Sequence, residues 1–149
     1  MFIYGKTSAN AIAVMSFLAA DPKKRAGSRE IARERKISLV LTAKLLTQLA
    51  AAGMVSGQPG PGGGYTLAKP AKKIFLIDII SIFEQTTPPT LCPFGQDWCG
   101  KGDPCPLHDI MAAMIAESRR FTERTSLAVF EGAVPTKNSK ATRVKKIEV

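Results

Sequence analysis

The residues that most constrain the fold of this 149-residue chain are 57–64, the segment Gly-Gln-Pro-Gly-Pro-Gly-Gly-Gly. Proline has no backbone N–H, and glycine loses more conformational entropy on ordering than any other residue. This segment is therefore predicted to be a loop and not part of a helix or strand. Short stretches suited to strands flank it at residues 54–56 and 65–67. The pattern predicts a β-hairpin with a glycine-rich loop.

A first helix is predicted near the start of the chain. Ala11, Met15 and Leu18 belong to a set of apolar residues that recur every three or four positions, which is the spacing of one helical face. Thr7 or Ser8 is the predicted N-cap, and Asp-Pro at 21–22 is expected to end the helix.

Two shorter helices are predicted between this helix and the hairpin. The first has Ser28 as its N-cap and runs to about residue 35. The second follows Ser38 and ends at Gly53. Two short helices joined by a tight turn are typical of a helix-turn-helix, and a hairpin directly after the second helix is called a wing. The buried stripe of the second helix is predicted to be Leu41, Leu45 and Leu49.

Beyond the wing, residues 74–76 are predicted to be extended and 78–85 to form a short helix. A long helix with Pro106 in its first turn is expected to reach about residue 131. The predicted fold is mainly α, with a winged helix-turn-helix domain at 1–75, a connecting helix and cysteine-rich loop at 76–106, a dimerisation helix at 107–131 and a basic disordered tail at 132–149. The predicted dimer seam is Leu107, Ile110 or Met111, Met114, Ser118, Phe121, Thr125 and Ala128.

The net positive charge comes entirely from the first half of the chain. Residues 1–75 carry twelve Lys and Arg against three Asp and Glu, whereas residues 76–149 carry nine of each sign, so the formal charge of +9 arises in the first half. A basic half of this kind attracts polyanions over long distances. Nucleic acid is the favoured partner. A membrane surface is less favoured, because no basic amphipathic helix with aromatic anchors is evident.

Several classes of protein are not supported by the sequence. No segment approaches the roughly 20 consecutive apolar residues of a membrane-spanning helix, and the first residues do not resemble a signal peptide. We therefore expect a cytoplasmic protein. A Ser-His-Asp set and a phosphate-binding loop are both lacking, so we expect neither an enzyme nor a small-molecule substrate.

All three cysteines and the single histidine fall within residues 92–108, as Cys92, Cys99, Cys105 and His108. Thiolate and imidazole are ligands of zinc, copper and iron–sulfur clusters. An odd number of cysteines in a reducing compartment indicates metal or redox chemistry, not a disulfide framework. The alternative, three buried cysteines that pack as small apolar groups, does not explain why their loop is polar and rich in glycine.

Together these features resemble a bacterial family of winged-helix iron–sulfur regulators, the family of IscR and NsrR. The resemblance is carried by Ile-Ser-Leu at 37–39, Gly-Met-Val-Ser at 53–56, Gly-Pro-Gly-Gly-Gly-Tyr at 60–65 and the three-cysteine loop before a long helix. It covers residues 1 to about 131.

The resemblance implies a homodimer that binds double-stranded DNA at a dyad-symmetric operator. The second helix of the helix-turn-helix would lie in the major groove and the wing along the minor groove. IscR-like members have an acidic residue where this chain has Ala43, so a different operator is expected. The predicted DNA-binding residues are Arg25, Ser28, Arg29, Arg33, Lys36, Ser38, Val40, Thr42, Lys44, Thr47, Gly62, Gly63, Tyr65 and Lys69.

The resemblance also implies an iron–sulfur cluster held by Cys92, Cys99 and Cys105. The interval from Cys105 to His108 matches the histidine ligand of the IscR-like branch. In the NsrR-like branch an aspartate near position 8 of the partner subunit completes the site, and this chain has Ser8 there. A 2Fe–2S cluster is therefore favoured over 4Fe–4S. One departure is that six residues separate the first two cysteines, where those branches typically have five.

A cluster with three thiolates and one weaker ligand can be lost or oxidised, so it is predicted to control operator binding. Three alternatives stay open from the sequence. The first is a regulator of the same fold that uses thiol oxidation or a partner protein without a cluster. The second is a zinc-stabilised DNA-binding protein, and the third is a small iron–sulfur electron carrier.

Overall fold

A computed structural model describes residues 4–84 and 104–133. Within these ranges the predicted fold class is confirmed, because the chain is mainly helical with one two-stranded antiparallel sheet. In chain order the elements are α1 Lys6–Ala20, α2 Ser28–Arg35, α3 Leu39–Ala51, β1 Val55–Gln58, β2 Gly64–Leu67, α4 Leu76–Phe83 and α5 His108–Arg124, with short 3-10 helices at Ala71–Lys73 and Leu127–Phe130.

The start of α1 differs from the prediction, because Gly5 and not Thr7 or Ser8 is the N-cap. The carboxylate of Glu84, at the end of α4, accepts the Gly5 N–H at 2.9 Å and the Ser8 hydroxyl. A residue that lies far away in sequence thus satisfies an N-terminal donor of the helix. Ser8 is fully buried within α1.

The start of α2 is also one residue earlier than predicted. Gly27 is its N-cap and Ser28 is its first helical residue. The chain reaches α2 in an extended conformation, since Ala26 exchanges both backbone hydrogen bonds with Tyr65 of β2 at 3.1 and 2.8 Å. This pairing fixes the base of the wing next to the N-terminus of α2.

Both ends of α3 agree with the prediction. The Ser38 hydroxyl accepts the Leu41 N–H at 3.3 Å, as expected of an N-cap. At the other end Gly53 has a φ of +70°. The N–H groups of Gly53 and Met54 donate to the carbonyls of Ala50 and Leu49 at 3.0 and 2.9 Å, which is the hydrogen-bond pattern of a Schellman cap.

The predicted hairpin is present, with its loop at residues 59–63: β1 begins one residue later and ends two residues later than predicted, and β2 begins one residue earlier. Val55 pairs with Leu67 and Gln58 with Gly64. In the loop the Gly63 N–H donates to the Gly60 carbonyl at 3.0 Å, and Gly62 has a φ of +72°. Proline followed by glycine with positive φ between these residues is the signature of a type II turn.

The predictions for the second half require correction. α4 begins at Leu76, two residues early, because the Asp78 carboxylate accepts the Phe75 N–H at 2.9 Å. α5 begins at His108, after Pro106, and ends at Arg124 instead of near residue 131. Beyond α5, Ser126 pairs with Phe75.

This pairing explains why α5 ends early. The Leu76 N–H donates to the Thr125 carbonyl at 2.9 Å, and the Leu127 N–H donates to the Ile74 carbonyl at 2.8 Å. Thr125 and Ala128 are therefore not part of a continuous helical seam. Leu127 is fully buried in the core.

The hydrophobic core lies between α1, α3, α4 and the segment after α5. Its fully buried large side chains include Met15, Leu45, Leu49, Ile79 and Leu127. The predicted stripe of α3 is confirmed at its second and third positions, whereas Leu41 is half-buried. The core thus combines residues from both sides of the boundary predicted at residue 75.

Candidate nucleic-acid interface and cluster loop

α3 presents one side to the core and the other to solvent. Leu45, Leu46 and Leu49 are fully buried, and the exposed positions recur at intervals of three and four. Val40 is the most prominent, with 82% of its surface exposed. The exposed stripe, called here the recognition face, consists of Val40, Ala43, Lys44, Thr47, Gln48 and Ala51.

Thr42 does not belong to this face, and its predicted DNA contact is not supported. Its side chain is fully buried, and its hydroxyl has no hydrogen-bond partner among the described residues. The residue lies three positions before Leu45, on the core side of α3, so only its methyl suits its surroundings. Gln48, by contrast, was missed by the sequence analysis. Its spacing of four from Lys44 was the available signal.

The predicted basic contacts are exposed. Arg25 lies beside Ala26 at the base of the wing, Arg29 is in the first turn of α2, and Lys69 follows β2. Arg33 and Lys36 are exposed near the end of α2, where Lys36 has a left-handed φ of +53°. These side chains lie near the recognition face in the sequence, and all of them belong to the half of the chain that carries the net positive charge.

Arg35 is different from the other basic residues of α2. Its guanidinium carbon lies 5.4 Å from the centre of the Phe17 ring of α1, which is a cation–π contact. Burial lowers the pKa of Arg35 from its ordinary value, although the negative charge of Glu34 partly opposes this effect. Arg35 therefore helps to attach α2 to α1 and is less available to a polyanion than its neighbours.

The wing glycines have reasons internal to the fold. A Cβ on Gly63 would lie 2.2 Å from the Gln58 carbonyl oxygen, and one on Gly64 would lie 2.9 Å from the Ala26 backbone. The Tyr65 ring covers Gly57, its partner across the hairpin. These contacts fix the shape of the wing. DNA contacts by Gly62, Gly63 and Tyr65 remain predictions.

Replacing Gly63 with alanine is expected to destabilise the protein by about 1–3 kcal/mol, because the clash is with backbone and cannot be relieved by a rotamer change. Urea unfolding would measure this. The matched control is Gly62→Asn, since nothing lies within 4 Å of a Cβ at Gly62 and asparagine tolerates positive φ. Equal destabilisation of the two variants would contradict the proposed clash.

Two of the four predicted cluster ligands are described. The His108 N–H donates to the Cys105 carbonyl at 2.9 Å, so both residues lie in the single turn that leads into α5. Both side chains are partly accessible to solvent. Cys92 and Cys99 lie outside the described residues. Within 4–84 and 104–133 no group of three or more His, Cys, Asp or Glu side chains is placed to hold a metal.

α5 exposes a series of large apolar side chains. Ile110 is the most exposed of them, at 60%, and Thr122 near the C-terminal end is the buried residue of this helix. Ile115 was not part of the predicted seam. The exposed apolar residues of this helix and of the turn before it are Leu107, Ile110, Met114, Ile115 and Phe121.

The fold and this surface define a winged helix-turn-helix protein with an exposed recognition helix in a basic half. A family model described as "Rrf2: Iron-dependent Transcriptional regulator" matches residues 4–130. The chain belongs to this family, and it resembles the IscR regulators. No helix in the described part of the chain is both long and apolar enough to span a membrane.

Its sequence relatives include other regulators. The chain is 37% identical over 98 residues to the HTH-type transcriptional regulator IscR of Xenorhabdus nematophila, a match that covers 66% of this chain and 59% of that protein. It is 42% identical over 69 residues to the putative HTH-type transcriptional regulator BadM of Rhodopseudomonas palustris, covering 46% of this chain and 44% of that protein. The chain thus spans about half the length of these two relatives.

Solved structures share the fold at low sequence identity. CymR, the global cysteine regulator of B. subtilis, superposes with a TM-score of 0.72 at 20% identity, covering 87% of this chain and 98% of that one. IscR of T. potens superposes with a TM-score of 0.65 at 18% identity, covering 92% of each chain.

Proposed function

We propose that this protein is a homodimeric regulator whose binding to a dyad-symmetric operator is controlled by a redox-sensitive iron–sulfur cluster. The observation that carries the DNA-binding part is the recognition face of α3, which is exposed beside a wing of fixed shape in the half of the chain with all the net charge. The recognition face would read the major groove. The neighbouring Arg and Lys side chains would contact phosphates.

The donor set fits a cluster. Cys92, Cys99 and Cys105 would supply three thiolates and His108 an imidazole, a combination of soft and borderline ligands suited to iron. Such a cluster, when bound, supplies one-electron redox chemistry and a site of oxidative attack. Ser8 is an unsuitable fourth ligand because it is fully buried and its hydroxyl donates to Glu84. The contact between Ser8 and Glu84 therefore supports His108 as the fourth ligand, and a histidine as fourth ligand favours a 2Fe–2S cluster over 4Fe–4S.

The exposed apolar side chains of α5 support the homodimer. Monomeric proteins rarely expose several large apolar residues on one helix, and a second copy of α5 would cover them. Because Cys105 lies in the turn before this helix and His108 is its first residue, these two proposed ligands would lie next to the dimer interface. Loss of the cluster would release these residues and thereby alter how the two subunits present their recognition faces.

The test begins with protein purified without oxygen. Iron and acid-labile sulfide in equal amounts, together with visible absorption, are expected in the wild type. They should be absent from Cys105→Ser. The matched control is Asp109→Asn, on the exposed first turn of α5, which should retain the iron, the sulfide and the absorption of the wild type. Zinc in place of iron would support the zinc alternative, and metal-free protein would support a thiol switch. Either result would overturn the cluster.

Control of DNA binding needs a second measurement. Fluorescence anisotropy at fixed salt would compare the anaerobic protein with the same protein after cluster removal, on duplexes that the protein selects from a random-sequence pool. We expect a change in Kd of at least about tenfold, which corresponds to a coupling of about 1.4 kcal/mol. Equal Kd values would contradict cluster control while leaving the regulator itself intact.

A further inference from the structure

The chemistry of the recognition face is unusual for a proposed nucleic-acid surface, because three of its six residues are apolar. Val40 is 82% exposed and Ala43 and Ala51 carry only methyl groups. Residues 39–51 contain no Asp or Glu, so α3 offers no carboxylate to the N4 amino group of cytosine, the contact through which acidic side chains read that base.

Thr47 adds a second apolar contact in place of a polar one. Its hydroxyl donates to the Ala43 carbonyl of its own helix at 2.9 Å. The hydroxyl proton is therefore committed within α3, so the side chain has no donor left for a base and offers its methyl group and an acceptor oxygen. Val40 and Thr47 lie seven positions apart, two turns along the same exposed stripe.

Gln48 and Lys44 complete the face. Gln48 carries an amide, whose donor and acceptor lie side by side in the combination that bonds to N6 and N7 of adenine. Lys44 carries donors only and suits guanine or a phosphate. The methyl groups of Val40 and Thr47 suit thymine, because proteins recognise its C5 methyl through apolar contacts with side-chain methyl groups.

We propose that the recognition face reads A·T base pairs, with Val40 and Thr47 against thymine methyl groups and Gln48 on adenine. This assignment rests on the proposed binding of α3 in the major groove and specifies what is read there. The half-site of the operator then contains A·T pairs at the positions beneath these three side chains.

The experiment uses the full-length protein and duplexes that it selects from a random-sequence pool. In the selected duplex each thymine is replaced in turn by uracil, which removes only the C5 methyl. Loss of one buried methyl contact is expected to weaken binding about fourfold at each thymine that is contacted. Val40→Ala should make binding insensitive to one of these replacements, and Thr47→Ser, which retains the hydroxyl, should do so at another.

The contact of Gln48 is tested by base preference. Gln48→Ala is expected to reduce the preference for adenine over guanine at one position about tenfold. The matched control is Val129→Ala, since Val129 is also well exposed but lies after α5. This variant should keep the sensitivity to uracil unchanged at every position.

The outcomes separate the two proposals. Selected duplexes with G·C pairs throughout the half-site, or full affinity after every uracil replacement, would overturn A·T readout and leave the regulator in place. Binding that shows no sequence preference after selection would overturn both the readout and the proposed operator binding. If Val40→Ala and Thr47→Ser were as sensitive to uracil as the wild type, the methyl contacts would lie on another element. That result would also refute the assignment.

Discussion

Leu127→Ala is expected to lower the free energy of unfolding by about 2–5 kcal/mol, the cost of removing a fully buried leucine from a packed core. Leu127 is 0% exposed and packs within the cluster that contains Met15 and Ile79. Its N–H also donates to the Ile74 carbonyl at 2.8 Å, so the segment around it has little freedom to collapse into the cavity. The loss is a large part of the stability of an ordinary domain.

Urea unfolding followed by circular dichroism would measure this loss. Val129→Ala is the matched control, because it shortens an apolar side chain two residues away that is 62% exposed. Its effect should stay within about 0.5 kcal/mol. Similar midpoints for Leu127→Ala and the wild type would show that the segment after α5 is not part of the core.

The second large effect concerns affinity for DNA. Replacement of Arg25, Arg29 and Lys44 together by glutamine removes three exposed positive charges around the wing, α2 and the recognition face. Each phosphate contact contributes about 0.9 to the slope of log K against log salt concentration. In the proposed homodimer three contacts are lost from each subunit and six from the complex, so the slope is expected to fall by about 5.4 and binding at 0.1 M salt to weaken by about 10⁵-fold.

Anisotropy titrations at several salt concentrations would measure both quantities. The control is the same replacement of Arg119, Arg120 and Arg124, which removes equal charge from exposed positions on α5. Its slope should be close to that of the wild type. If the two triple variants lost affinity equally, net charge alone and not phosphate contact at this surface would account for binding.

Much of the fold could be predicted because its signals are local. The α3 caps depend on Ser38 and Gly53, which lie at the ends of the helix that they terminate. The wing depends on a run of glycine and proline whose backbone preferences need no tertiary context. The spacing of apolar residues and the positions of capping residues, glycine and proline were therefore sufficient to locate three helices and a hairpin, with errors of one or two residues at their ends.

The wrong predictions share a cause, which is a partner far away in sequence. Glu84 supplies the acceptor that allows α1 to begin after Gly5. The backbone of residues 74–76 pairs with residues 125–127, which ends α5 at Arg124. The three- and four-residue spacing that continued to Ala128 gave no warning of this pairing. Periodicity reports which side of a segment is apolar, and not which segment it will contact.

The site was predicted in the same uneven way. The basic side chains and Val40, Lys44 and Thr47 are exposed, as expected from charge and spacing. Thr42 does not lie on the exposed side, because its position on α3 faces the core and its side chain is fully buried. The same helical spacing places Gln48 on the exposed side of α3, four positions after Lys44.

The segment after α5 has a consequence for the order of events during synthesis. α1 leaves the ribosome before the other described elements, yet its C-terminal end meets a residue made more than a hundred positions later, since the Gly132 N–H donates to the Ala20 carbonyl at 3.0 Å. Contacts of such long sequence separation form late and slow folding. The winged domain of a nascent chain therefore acquires its final packing only once Leu127 has emerged, and until then the part of α1 that packs against this segment stays uncovered.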